Sequence, residues 1–97
     1  QQEIIDASGL TMIPGLVDIH FHGCKGADMC DGTKEALDVI TAYEASVGVT
    51  SVCPATMTIQ RDELLSVMKN TGDYTYHGGA HLVGINMEGP FISPSKK

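Results

Sequence analysis

The stretch that decides the fold is Pro14-Gly15-Leu16-Val17-Asp18-Ile19-His20-Phe21-His22-Gly23. Proline and glycine punctuate its start and glycine closes it. Between them lie aliphatic, β-branched and aromatic residues without a helical period. Such a run predicts a strand buried on both faces, the kind found in parallel sheets. Successive side chains on a strand point to opposite faces. Asp18, His20 and His22 therefore share one face, and Val17, Ile19 and Phe21 share the other.

Working outward, Gly23, Gly26 and Gly32 predict a loop ending near Thr33. From Lys34 to Val47 the apolar residues Ala36, Leu37, Ile40, Tyr43 and Val47 recur at three- and four-residue steps, which predicts a helix. Thr33 is its expected N-cap and Gly48 its expected C′ residue. Val49-Thr50-Ser51-Val52-Cys53 reads as a β-branched strand closed by Pro54. A second helix is expected over Gln60 to Asn70, with Arg61, Leu64, Leu65 and Met68 on one stripe and Gly72 beyond its end. His81-Leu82-Val83-Gly84-Ile85-Asn86-Met87-Glu88 reads as a third buried strand, broken by Gly89-Pro90. Before all of these, Glu3-Ile4-Ile5-Asp6-Ala7 reads as a short strand, followed by a turn at Ser8-Gly9.

Strand, helix, strand, helix, strand implies a parallel sheet with helices outside it. Three strands do not finish such a sheet, and a closed (β/α)8 barrel takes roughly 250 residues. The expectation is that these 97 residues are a segment of a larger chain.

Composition narrows the functional classes. Hydrophobic residues make up 42% and charged residues 19%, as in globular proteins. The net charge of −6 and the lack of basic clusters, Lys96-Lys97 aside, argue against a nucleic-acid partner. No long apolar run or leader-like segment appears, so no membrane partner is expected and a cytoplasmic location is. Cys24, Cys30 and Cys53 are too few for a disulfide framework and are expected as free, partly buried thiols.

The chemistry rests on His20, His22 and Glu88. Two imidazoles at alternate strand positions can grip one divalent ion from a rigid edge, and parallel sheets build sites at that C-terminal edge. A His-x-His pair alone is more often incidental. What adds weight is Glu88, at the same end of the third strand. Parity puts it on the face of Leu82, Gly84 and Asn86, with Val83, Ile85 and Met87 opposite. A carboxylate turned inward is costly unless it is paired or bound to a cation. Asp18 either orients a histidine or makes a structural hydrogen bond, and Asn86 is read as structural. A zinc site that recruits Cys24 and Cys30 is a weaker alternative, since no Cys-x-x-Cys is present. His77 and His81 read as exposed loop residues. No nucleophile elbow or phosphate loop appears, so metal-assisted hydrolysis is the chemistry best supported.

The first of these stretches resembles the opening barrel strand of the amidohydrolase superfamily. Together with Gly48-Val49-Thr50-Ser51 and Asn86-Met87-Glu88-Gly89-Pro90-Phe91-Ile92 it resembles the N-acetylglucosamine-6-phosphate deacetylase family, from about Ile5 to Lys97. Many other amidohydrolases use a lysine as the later bridging ligand; another amidohydrolase, such as a cyclic amidase, is the runner-up reading, and Glu88-Gly89-Pro90 argues against it. The resemblance implies a partial (β/α)8 TIM barrel (its first three βα units) over residues 14–97, preceded at 1–13 by the end of a small β-sandwich segment. It implies His20, His22 and Glu88 as ligands of one or two divalent ions; zinc or iron suits these donors, and Asp18 is the candidate behind them from strand parity. It implies an amino-sugar phosphate as substrate and a homodimeric parent. The catalytic base and the phosphate-binding residues are expected outside this stretch. The competing class is a non-catalytic fragment that binds metal without turnover.

Overall fold

The computed structural model describes residues 2–96; Lys97, half of the terminal basic pair, lies outside them. β1 (Leu16–Asp18), β4 (Val49–Val52) and β5 (His81–Leu82) form one parallel sheet in the order β1-β4-β5. α1 (Lys34–Ser46) connects β1 to β4, and α2 (Arg61–Gly72) connects β4 to β5. The alternation expected from the sequence is therefore present, with β4 in the middle. Leu16 pairs with Val49, Val17 with Ser51 and Asp18 with Val52, with an irregularity after Leu16. Ser51 and Val52 pair onward with His81 and Leu82. At Gly15 a side chain would collide with that of Thr50, so glycine lets β1 enter close against β4.

α1 begins and ends as its sequence predicts. The Thr33 side chain accepts the Ala36 amide at 3.2 Å, filling one orphan donor of the first turn. Gly48 leaves the helix at φ 93°, where a side chain would be strained. Leu37 packs with Met29 and Val67 to form one core cluster, against which Ile59, Tyr74, Leu82 and Ile85 lie. Val49, Val52 and Ala80 form a second, with Phe21 and Leu82 against it. Leu82 thus joins the two.

Several local expectations are corrected. The strand expected at Glu3–Ala7 does not form, because no segment of the described chain pairs with it; Ile4 and Ile5 are exposed. The strand expected through His22 is regular only to Asp18, and it is not buried on both faces: Val17 and Ile19 are 61% and 66% exposed. The reason is position, since β1 lies at an edge and touches only β4. The glycine-rich stretch after His22 is more ordered than a loop. It folds into a hairpin of β2 (Gly23–Cys24) and β3 (Ala27–Asp28). A 3-10 turn, Met29–Asp31, follows and puts Met29 in the core. In α2 the buried stripe is Leu64, Val67 and Thr71; Leu65 and Met68 face outward. Gly72 is the last residue of that helix, not the one beyond it. Of the odd-numbered face expected to pack on helices, Ile85 does so while Val83 and Met87 are exposed.

Asp38 on α1 pins the segment after α2. Its carboxylate accepts from the Tyr74 hydroxyl at 2.8 Å and lies 3.0 Å from His77 Nδ1 and 2.9 Å from Lys34 Nζ. The Lys34 ammonium and the His77 and Tyr74 bonds hold that carboxyl well below its usual range. Glu44, in the last turn of the same helix, is the opposite case. It is 7% exposed, and burial, aided by the Asp18 charge, pushes its carboxyl up. A raised folded-state pKa favours folding only while the carboxyl is protonated, and that help is lost as pH rises through it. The helix C-terminus also disfavours an anion there. Glu44→Gln is therefore expected to raise the urea midpoint at pH 7, and the gain should disappear below the ordinary carboxylate range.

Candidate metal centre

The segment that continues β4 carries the site. Beyond Val52 the chain runs through Cys53, Pro54, Ala55 and Thr56, and the last two are fully buried. On one side the Cys53 amide donates to the Asp18 carbonyl (2.8 Å) and the Ala55 amide to the Phe21 carbonyl (2.7 Å). On the other, the Asn86 amide donates to the Pro54 carbonyl and the Thr56 amide to the Asn86 carbonyl, each at 3.0 Å. This short ladder holds the ends of the two outer strands at a fixed separation, outside any regular strand.

His20, His22 and Glu88 come together there, with donor atoms all within 4.8 Å of one another. Glu88 Oε2 lies 3.4 Å from Nε2 of each histidine. The two rings meet edge to face with centroids 5.4 Å apart. A tetrahedral ion with ligands at about 2.0–2.1 Å has ligand–ligand edges of about 3.4 Å, so the separations suit one shared cation. Imidazole nitrogen with a carboxylate oxygen is also a donor set that zinc and iron accept.

Each of the three candidate side chains has a support. His22 Nδ1 lies 3.3 Å from the Ala55 carbonyl and can only donate to it, which leaves Nε2 free to ligate. The His22 carbonyl is tied in turn by the Met29 amide at 2.8 Å. The Glu88 amide donates to the Thr56 hydroxyl at 3.2 Å. Asn86 Nδ2 donates to the Ile19 carbonyl at 2.7 Å and lies 3.1 Å from His20 Nδ1. Asp18 accepts the His20 backbone amide at 3.0 Å. Ala55 and Thr56 were not singled out from the sequence. Their place just past a predicted strand, after Pro54, was the available signal.

The remaining candidates stay apart. The three cysteines are free, and Cys30 Sγ accepts the Met57 amide at 3.1 Å. His77 belongs to the Asp38 cluster, and His81 stacks on Tyr76 with centroids 4.3 Å apart.

Comparison with known proteins identifies a family for the chain. An N-acetylglucosamine-6-phosphate deacetylase of Bacillus subtilis (strain 168) is 32% identical over 100 residues, 98% of this chain and 25% of that protein. By sequence, the chain belongs with the N-acetylglucosamine-6-phosphate deacetylases. An N-acetylgalactosamine-6-phosphate deacetylase of Escherichia coli O157:H7 is 31% identical over 88 residues, 89% of this chain and 23% of that protein. The chain spans about a quarter of the length of these relatives. The crystal structure of N-acetylglucosamine-6-phosphate deacetylase from Pasteurella multocida superposes with a TM-score of 0.76 over 84% of this chain and 22% of that one. At 24% identity that match establishes a shared fold. No protein-family model matches the chain.

Thr56 offers a direct check on how the deacetylase-like site is held. Thr56→Val keeps the shape but removes the acceptor for the Glu88 amide. It should cost about 1–3 kcal/mol in urea unfolding and speed exchange of the Glu88 amide hydrogen. Thr56→Ser should restore both.

Proposed function

We propose that this chain carries part of the metal centre of a deacetylase that hydrolyses the N-acetyl group of N-acetylglucosamine 6-phosphate to glucosamine 6-phosphate and acetate. The observation that carries the reading is the pair of 3.4 Å separations between Glu88 and the two imidazoles. The names of the relatives support the substrate class. The ligands are His20, His22 and Glu88, with Asp18 behind them. Zinc or iron suits these donors, as one ion or, with Glu88 bridging, two. An ion held here would polarise the amide carbonyl and acidify a bound water.

The chain's own contribution is placement. His22 presents Nε2 because the Ala55 carbonyl holds its other nitrogen. Glu88 neutralises charge in the pocket and is fixed through its backbone by Thr56. The base that takes the water's proton and the groups that grip the sugar phosphate belong, on this reading, to the parent polypeptide outside the 97 residues. Residues 14–97 are then the first three βα units of a (β/α)8 barrel, and 1–13 the end of a small β-sandwich that enters it. The parallel β1-β4-β5 order with intervening helices supports that assignment. The parent is read as a cytoplasmic homodimer acting on a small amino-sugar phosphate. No helix among the described residues is long and apolar enough to cross a membrane.

A second reading exchanges the sugar. The Escherichia coli relative is named for the galactosamine epimer. Acetate release from both epimers should be compared in the full-length polypeptide with added Zn2+ or Fe2+. Turnover of the glucosamine substrate is expected to exceed that of its epimer, and the 97-residue chain by itself should release no acetate. In the full-length polypeptide, His20→Ala, His22→Ala and Glu88→Ala should each lower metal affinity by roughly 10–100-fold or more. Unchanged metal content in all three variants would remove the basis of the assignment.

A further inference from the structure

His20 and His22 are two residues apart, yet their surroundings prepare their rings oppositely. The Asn86 amide reaches over β4 to the end of β1. Its nitrogen lies 2.7 Å from the Ile19 carbonyl, which fixes the orientation of the amide, since the reverse would press two carbonyl oxygens together. The same nitrogen lies 3.1 Å from His20 Nδ1 and offers it the second amide hydrogen. A neutral imidazole has one donor and one acceptor nitrogen. His20 Nδ1 is then the acceptor, and its proton sits on Nε2, on the side of Glu88 Oε2 at 3.4 Å. His22 is reversed: the Ala55 carbonyl demands a proton on Nδ1 and leaves Nε2 bare.

A ligating nitrogen must be free of its proton. We propose that Asn86 is a positioning residue that sets the His20 ring in the tautomer opposite to that of His22, so that His20 would be the weaker of the two ligands of an ion at this site. The proposal rests on the metal reading of these three residues. Ligation through Nε2 would require the His20 proton to sit on Nδ1 instead. The amide hydrogen that Nδ1 accepted must then turn away, because two donors would face each other. His22 needs no such change. The two histidines, alike in sequence, thus contribute unequally, by roughly the fivefold that one net hydrogen bond represents.

The test is nitrogen NMR of the ring tautomers in the metal-free full-length polypeptide under mildly alkaline conditions. The expected result is a proton on Nε2 of His20 and on Nδ1 of His22. Asn86→Asp, which presents an acceptor to His20, should move its proton to Nδ1 and leave His22 unchanged. Asn86→Ala removes the donors without adding charge and covers the case in which the aspartate variant fails to fold. In Zn2+ titrations His22→Ala should lose about fivefold more affinity than His20→Ala, and the gap should close in the Asn86→Ala background. Matching tautomers in the unsubstituted protein, or equal losses from the two histidine variants, would overturn the proposal. If Zn2+ perturbs neither ring, the metal reading fails, while opposite tautomers would still support the hold of Asn86 on His20.

Discussion

Everything distinctive in this structure depends on one short run of backbone bonds. Cys53 to Thr56 lies between two strands that do not touch each other, and its amides and carbonyls are used in both directions. A buried peptide group without a partner is costly, so these residues can rest only where both neighbours supply one. The separation of the β1 and β5 ends is thereby set by covalent geometry and hydrogen-bond length. Side chains projecting from those ends inherit that spacing. The gap between Glu88 and the histidines is in this sense a property of the segment from Cys53 to Thr56, which contributes none of the three side chains.

The core does a different task. Leu37, Met29 and Val67 sit beneath the helices, and Leu82 links them to Val49, Val52 and Ala80. Burial there presses α1 and α2 onto the sheet. The ladder above β4 then turns that packing into a fixed pocket rim. Asp38 adds a polar tie on the opposite flank, fastening the return from α2 through Tyr74 and His77.

Much of this was legible in the sequence. The three-four spacing from Ala36 to Val47, with Thr33 before it and Gly48 after it, marked α1 almost to the residue. Alternation placed His20, His22, Asn86 and Glu88 on a common side because parity survives even where the strands lose regular pairing. What was not legible has physical causes. Exposure at Val17, Ile19 and Val83 depends on which neighbours a strand has, and no single segment encodes that. The stripe of α2 was misplaced because Leu65 and Met68 are as apolar as Leu64 and Val67, so composition could not orient the helix. The hairpin at Gly23–Asp28 arises from a turn through Lys25 and Gly26, both at positive φ, that a glycine count alone reads as loop. Of the two roles left open for Asp18, the structure shows a hydrogen bond to the His20 backbone amide. The supports from Ala55 and Thr56 are a carbonyl and a hydroxyl that become informative only once distant segments meet.

The Glu88 and His20 side chains are 42% and 53% exposed, whereas the groups that hold them in place belong to Thr56, Asp18 and Asn86. Little of the protein's cohesion passes through the putting of those particular groups at those positions. Descendants of such a chain could exchange a histidine or a carboxylate, and with it the number or kind of ion preferred, while the scaffold stayed intact. The architecture keeps its chemistry on replaceable fittings.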